Sequence, residues 1–175
     1  MTPQLTDGVV LLDRHSDADL DAHLAGEDEE QARRFGWYPA RSTPETVHRA
    51  FDGWAAEWSS NGSTRTFALR VADSGELAGG CQLRLRGGSA DLSYWVFPAF
   101  RRRGYATRAL RLLTSWAFAE FGVARVELRV EPDNEASRGA AVAAGFVEEG
   151  LLPECEQIGD RLRDMVLYAT GPTTS

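Results

Sequence analysis

Arg101, Arg102 and Arg103 run directly into Gly104, Tyr105 and Ala106, where the extended stretch Leu92 to Pro98 gives way to helical spacing. A helix start leaves its first N–H groups without intrahelical partners, and the aligned peptide dipoles add positive potential there. Anions bind such places. Gly104 has no side chain to hold a ligand off the backbone, and Ala106 has little more. Guanidinium groups match phosphate geometry, so a diphosphate is the guest this turn suits. Taken alone, the segment also reads as a plain helix start.

Asn134 and Ser137 stand three apart at the head of an alanine-rich segment. A hydroxyl there either caps a helix or gives a proton to a leaving group. Glu127 alternates with Arg125 and Arg129 in an extended run, so the three share one face. It is either a general base or one member of a charge ladder. Glu148, Glu149 and Glu154 are the other candidate bases. Cys81 and Cys155 have no histidine close in sequence that would activate them as nucleophiles. His15, His23 and His48 lack metal-ligand spacing, so no metal is expected. The acidic run Glu27 to Glu30 reads as a solvated helix start rather than a trap for a cationic amine.

These groups need elements to hold them. Gly8 to Leu12 reads as a short strand. Ser16 opens a helical segment that Gly26 divides into two pieces, and Trp37 and Tyr38 follow in a loop. Val47, Phe51, Trp54, Ala55 and Trp58 recur at helical spacing behind Pro44, with both tryptophans expected in the core. Thr64 to Ala72, Leu77 to Arg86 and Ser89 to Phe97 alternate across short turns, which predicts an antiparallel meander. Gly79 and Gly80 inside the second of these strands predict a close backbone approach. The second half changes rhythm: helix Ala106 to Phe121, strand Ala124 to Pro132, helix Glu135 to Ala144, then two closing strands. Strand, helix and strand with short links imply a parallel pair inside a mixed sheet.

The bulk properties narrow the class. A chain of 175 residues, 43% hydrophobic, suits one compact domain over 1–175, with 171–175 expected to fray. No apolar run is long enough to span a membrane, and the first residues lack the basic region of a secretory signal. A cytoplasmic protein with free thiols is expected. The net charge of −7 argues against a nucleic-acid partner. All 19 basic residues are arginine, so the protein carries no side-chain amine.

Arg101, Gly104 and Ala106 fill the pattern Arg or Gln, two residues, Gly, one residue, Gly or Ala. Before it stands Tyr94-Trp95-Val96; after it come Asn134-x-x-Ser137, Gly145-Phe146 and a closing run from Arg163 to Ala169. With these features in order the chain resembles the GNAT superfamily of acyl-CoA N-acyltransferases, and within it the branch of ribosomal-protein N-terminal acetyltransferases. The resemblance implies an α/β (α+β) fold. Its mixed, mostly antiparallel sheet is splayed between two parallel strands, with helices on both faces. It implies acetyl-CoA as co-substrate. The diphosphate would lie on Arg101, Arg102, Arg103, Gly104, Tyr105, Ala106 and Thr107. The pantetheine arm would pair with the backbone of Trp95, Val96 and Phe97, with Asn134 at the following strand's end. Ser137 would sit near the thioester sulfur, and the Val96 or Phe97 amide would receive the oxyanion. Trp37 and Tyr38 would wall the acceptor pocket. Glu127 and Glu149 join Ser137 as candidate catalytic residues. The acceptor implied is a primary amine, either a peptide N-terminus or a small amine such as an antibiotic or metabolite, taken by a monomer or homodimer without nucleic acid or membrane. A coenzyme-binding module without turnover is the remaining alternative. Pro153 stands where many members of that branch carry Arg.

Overall fold

The computed structural model describes residues 1–172, so 173–175 of the tail expected to fray lie outside the described residues. Eight strands form one sheet. They are β1 (Leu5–Thr6), β2 (Val10–Asp13), β3 (Thr64–Val71), β4 (Leu77–Arg86), β5 (Ser89–Val96), β6 (Arg125–Val130), β7 (Val147–Ile158) and β8 (Arg161–Thr170). Their order across the sheet is β1-β2-β3-β4-β5-β6-β8-β7. Every pairing is antiparallel except β5 with β6. The helices are α1 (Leu20–Gly26), α2 (Glu29–Phe35), α3 (Pro44–Ser59), α4 (Tyr105–Phe121) and α5 (Glu135–Ala143).

Local chemistry accounts for most boundaries. Asp28 caps α2 by accepting from the Gln31 amide, and Thr43 caps α3 by accepting from Thr46, with Pro44 next in the first turn. Gly26 ends α1 before Asp28 starts α2, giving the two short pieces expected. Gly79 and Gly80 sit where β4 meets Trp95. A Cβ on Gly80 would strike the Trp95 indole, and one on Gly79 would strike the Trp95 carbonyl. Glycine is therefore what lets the wide Trp95 ring lie flat on this strand.

Strand alternation sorts the core into two layers. Ala90, Leu92, Tyr94 and Val96 of β5, with Val126, Leu128 and Val130 of β6, face α4, whose Ala109, Leu110, Leu113 and Ala117 are fully buried. Each such leucine contributes about 2 kcal/mol of apolar burial. Trp95 and Phe97 point the other way. There they meet His15, His23 of α1, and Phe51 and Trp54 of α3. His15 lies 4.7 Å from Trp54 and 5.2 Å from Phe51 between ring centroids. Burial in this aromatic layer, helped by the neighbouring His23, drives the His15 imidazole down to about 3.

Candidate active site

β5 and β6 pair in register only from Ser89 with Arg125 to Leu92 with Leu128. Beyond that point β5 stays on β4 as far as Val96, while β6 stays on β8 as far as Val130. Two strands held on opposite sides must part. A cleft of about 790 Å³ opens between them, walled by Ser93 to Val96 on one side and Leu128 to Glu131 on the other.

The arginine turn forms one end of this cleft. Pro98 to Phe100 make a single 3₁₀ turn, after which Arg102 and Gly104 take left-handed conformations, φ +62° and +76°. Gly104 is the N-cap of α4 and offers no side chain to it, and the first turn of α4 carries no acid. The amides of Phe100 and Arg101 are bonded to Phe97 and Pro98, and the ladder resumes with the Arg108 amide on Gly104. Between them, no amide from Arg102 through Thr107 has an acceptor among the described residues. Alternating left-handed residues that turn successive N–H groups to one side make an anion cradle. Arg101, Arg102, Gly104, Tyr105, Ala106 and Thr107 all line the cleft. Arg103 does not; its guanidinium lies 5.6 Å over the Phe100 ring.

Arg101 is engaged elsewhere. Its Nε donates to the Val96 carbonyl at 2.9 Å, and its terminal nitrogens hold Asp28 at 2.7 and 3.0 Å. Asp28 answers with a carboxyl held below the usual carboxylate range, chiefly by that guanidinium. Asp28 is thus more than a solvated helix start: it ties α2 to the turn. The main-chain amides, rather than the Arg101 side chain, are the cradle's open donors.

Backbone direction along β5 follows from one bond. The Phe97 amide donates to the Ala78 carbonyl at 2.8 Å, so it faces β4 and is not open to a thioester oxygen. Neighbouring residues of an antiparallel pair alternate in direction. Trp95 faces β4 like Phe97, and Tyr94 and Val96 turn their N–H and C=O into the cleft. The Arg101 bond to the Val96 carbonyl comes from that side. The backbone expected to serve an extended ligand is therefore that of Tyr94 and Val96, with the Val96 amide the open donor.

The α5 helix starts on the opposite wall. Asn134 caps it, accepting from the Ser137 amide at 3.3 Å. Ser137, buried, accepts a hydrogen bond from the Tyr94 hydroxyl at 2.8 Å. Burial raises the Tyr94 hydroxyl, the Ser137 contact opposing it. With its lone pair engaged by Tyr94, Ser137 has its own hydrogen left to donate. Both side chains line the cleft, as do Asn134 and Glu156 of β7. Glu156 is partly buried and has no ion-pair or hydrogen-bond partner among the described residues. From sequence, Tyr94 enters only as the head of Tyr94-Trp95-Val96, with no role given to it, and Glu156 does not enter. Tyr94 was findable, two residues before Val96 on the same strand face. Glu156 was not, because its position depends on the β7 irregularity between Leu152 and Glu156.

The remaining candidates lie outside the cleft. Glu127 sits in a ladder with Arg125 at 2.7 Å and Arg129 at 3.1 Å. Glu149 grips the far side of Arg125, and Glu148 binds Arg138 and Tyr168. Glu154 offers only its amide, to Asp164. Trp37 stacks on Phe35 at 5.5 Å, and Arg33 lies 3.7 Å over the Tyr38 ring. Phe35 lines the cleft; Trp37 and Tyr38 do not. Phe97 is buried under α1. Cys81 is buried, with its thiol pushed up by burial, and Cys155 is exposed. Among the described residues no cluster of metal-binding side chains occurs.

The model of the acetyltransferase (GNAT) domain matches residues 10–147, and the chain belongs to that family. The uncharacterized N-acetyltransferase p20 of Bacillus licheniformis is 27% identical over 111 residues, 62% of each chain. The ribosomal-protein-serine acetyltransferase of Escherichia coli (strain K12) is 28% identical over 81 residues, 46% of this chain and 45% of that one. The match therefore spans less than two thirds of these relatives' length. Among solved structures, Mycobacterium smegmatis RimJ in complex with CoA-disulfide superposes with a TM-score of 0.80 at 26% identity, covering 97% of this chain and 86% of that one.

Proposed function

We propose that the protein transfers an acetyl group from acetyl-CoA to a primary amine, that of a peptide or protein N-terminus, by direct attack in a ternary complex. The observation that carries this is the open run of amides from Arg102 to Thr107 at the uncapped start of α4, placed at the mouth of the cleft between β5 and β6. A diphosphate on that cradle directs the pantetheine arm along Tyr94 and Val96, which meet it as a neighbouring strand would.

The residues then divide the work. The Val96 amide donates to the thioester oxygen as it gains charge. The amine attacks the carbonyl carbon, the C–N bond forms and the C–S bond breaks. Ser137 gives its proton to the departing sulfur and is resupplied through the Tyr94 hydroxyl, which takes a proton back from solvent as the product leaves. Glu156, the unpaired carboxylate of the cleft, takes the proton the amine sheds. An α-amine ordinarily titrates near pH 8, so it needs little help to become neutral.

Calorimetry with coenzyme A, followed by thiol release over a panel of N-terminal peptides and small amines, tests the reading. Micromolar binding and peptide-dependent thiol release are expected. Absence of coenzyme binding would end it, and binding without release on any amine would reduce the protein to a binding module.

A further inference from the structure

A second chamber of about 450 Å³ adjoins the cleft, sharing Glu30, Arg34 and Glu131 with it. Arg33, Arg34 and Arg163 enter it from α2 and β8 among four carboxylates, and Arg33 is already held by Glu29 at 2.6 Å. Glu131, buried at the end of β6, is the pivot: Arg34 reaches it at 3.3 Å and Arg163 at 2.9 Å, each through Nη1. Arg34 Nη1 also holds Asp133 at 2.8 Å. A guanidinium has five N–H donors in a fixed fork. The contacts to Glu131 and Asp133 engage only one nitrogen of each of these two arginines. Among the described residues, Arg163 Nε is buried and has no partner. Arg163, about one-third exposed and bonded to Glu131 through one terminal nitrogen, keeps its other terminal nitrogen for an arriving oxygen anion.

We propose that this chamber receives an acidic group of the acceptor, so that the preferred substrate carries a carboxylate a few bonds from the amine that is acetylated. Arg163 and Arg34 take the carboxylate while the amine enters the cleft across Glu30. This deepens the acetyl-transfer reading and rests on it. The carboxylate has two sources, the side chain of an early Asp or Glu in a peptide or the terminus of a very short acceptor. The chemistry at the arginines is the same.

The experiment compares kcat/KM for Ser-Asp and Ser-Asn tetrapeptide amides, for their counterparts with the acid at position three, and for Ser-Ala as free acid and as amide. The expected result is a preference of about tenfold or more for an acidic form over its neutral partner, the size of one charge-assisted hydrogen bond. Arg163→Gln should bring that ratio close to one, and Arg163→Lys should restore part of it. The KM for acetyl-CoA should hold in both variants. Equal or poorer use of every acidic form by the wild type would overturn the proposal. So would an unchanged ratio in Arg163→Gln. The same peptides titrated into coenzyme-saturated protein read the preference without turnover. Acid-selective binding with no acetylation would sink the acetyl-transfer reading, whereas acetylation with no acid preference would sink this proposal alone.

Discussion

Replacing His15 by leucine should flatten the acid side of the stability curve. His15 is 7% exposed, and neither ring nitrogen has a partner among the described residues. Its imidazole is driven from 6.5 to about 3 on folding, first by burial and then by His23. The folded form therefore stays neutral over a range where the unfolded chain takes up a proton. Between those two values the unfolded state binds more protons, so stability rises with pH and is lost as pH falls below 6.5. At pH 7.5 the contribution is negligible. At pH 5 protonation of the unfolded histidine favours unfolding by about 2 kcal/mol, and the full gap at lower pH is worth about 5 kcal/mol. The carboxyls of Asp7, Asp19 and Asp28 are also depressed in the fold from an ordinary value of 3.8, so they are largely ionised in both states at pH 5 and at pH 7.5 and add little to this comparison. Urea unfolding at pH 7.5 and pH 5 reads the difference for wild type and His15→Leu. Wild type should lose about 2 kcal/mol more than the variant. Parallel losses in the two proteins would refute the assignment of a neutral, unpartnered His15.

Other outcomes follow from the same geometry. Gly104→Val places a β-branched residue at φ +76° with its methyls in the cleft, and should weaken coenzyme binding at least tenfold by calorimetry. Arg101→Ala should instead lower stability by about 1–3 kcal/mol, because it unpairs Asp28, and change coenzyme affinity much less. Ser137→Ala should cut kcat by roughly tenfold to a hundredfold with the KM for acetyl-CoA nearly unchanged, and Tyr94→Phe should do so more mildly. Glu156→Gln should lower kcat/KM most at low pH, where the amine most needs a base, an effect read from the pH–rate profile. A thiol reagent should label Cys155 quickly and Cys81 only on unfolding, so two fast thiols would contradict the burial of Cys81.

What the sequence determined by itself was local. The Gly104 turn, the Pro44 and Asn134 helix starts, the Gly26 break and the alternation of β3, β4 and β5 each depend on a few adjacent residues. Steric limits on φ and the periods of helix and strand act at that range. The mixed sheet with its parallel pair was also legible, because a strand–helix–strand unit leaves little choice of crossover. The tertiary structure decided the rest. β8 inserts between β6 and the edge strand β7, and that places Glu156 in the cleft while leaving Glu149 on Arg125. Arg101 is claimed by Asp28 across 73 positions of chain, so the residue that looked most like a phosphate ligand became a strut between α2 and β5. Phe35 lines the cleft while Trp37 and Tyr38 lie outside it, and His15 was sealed among rings drawn from α1, α3 and β5. Long-range partners compete for each charge and each face, and only the folded chain brings those competitors together.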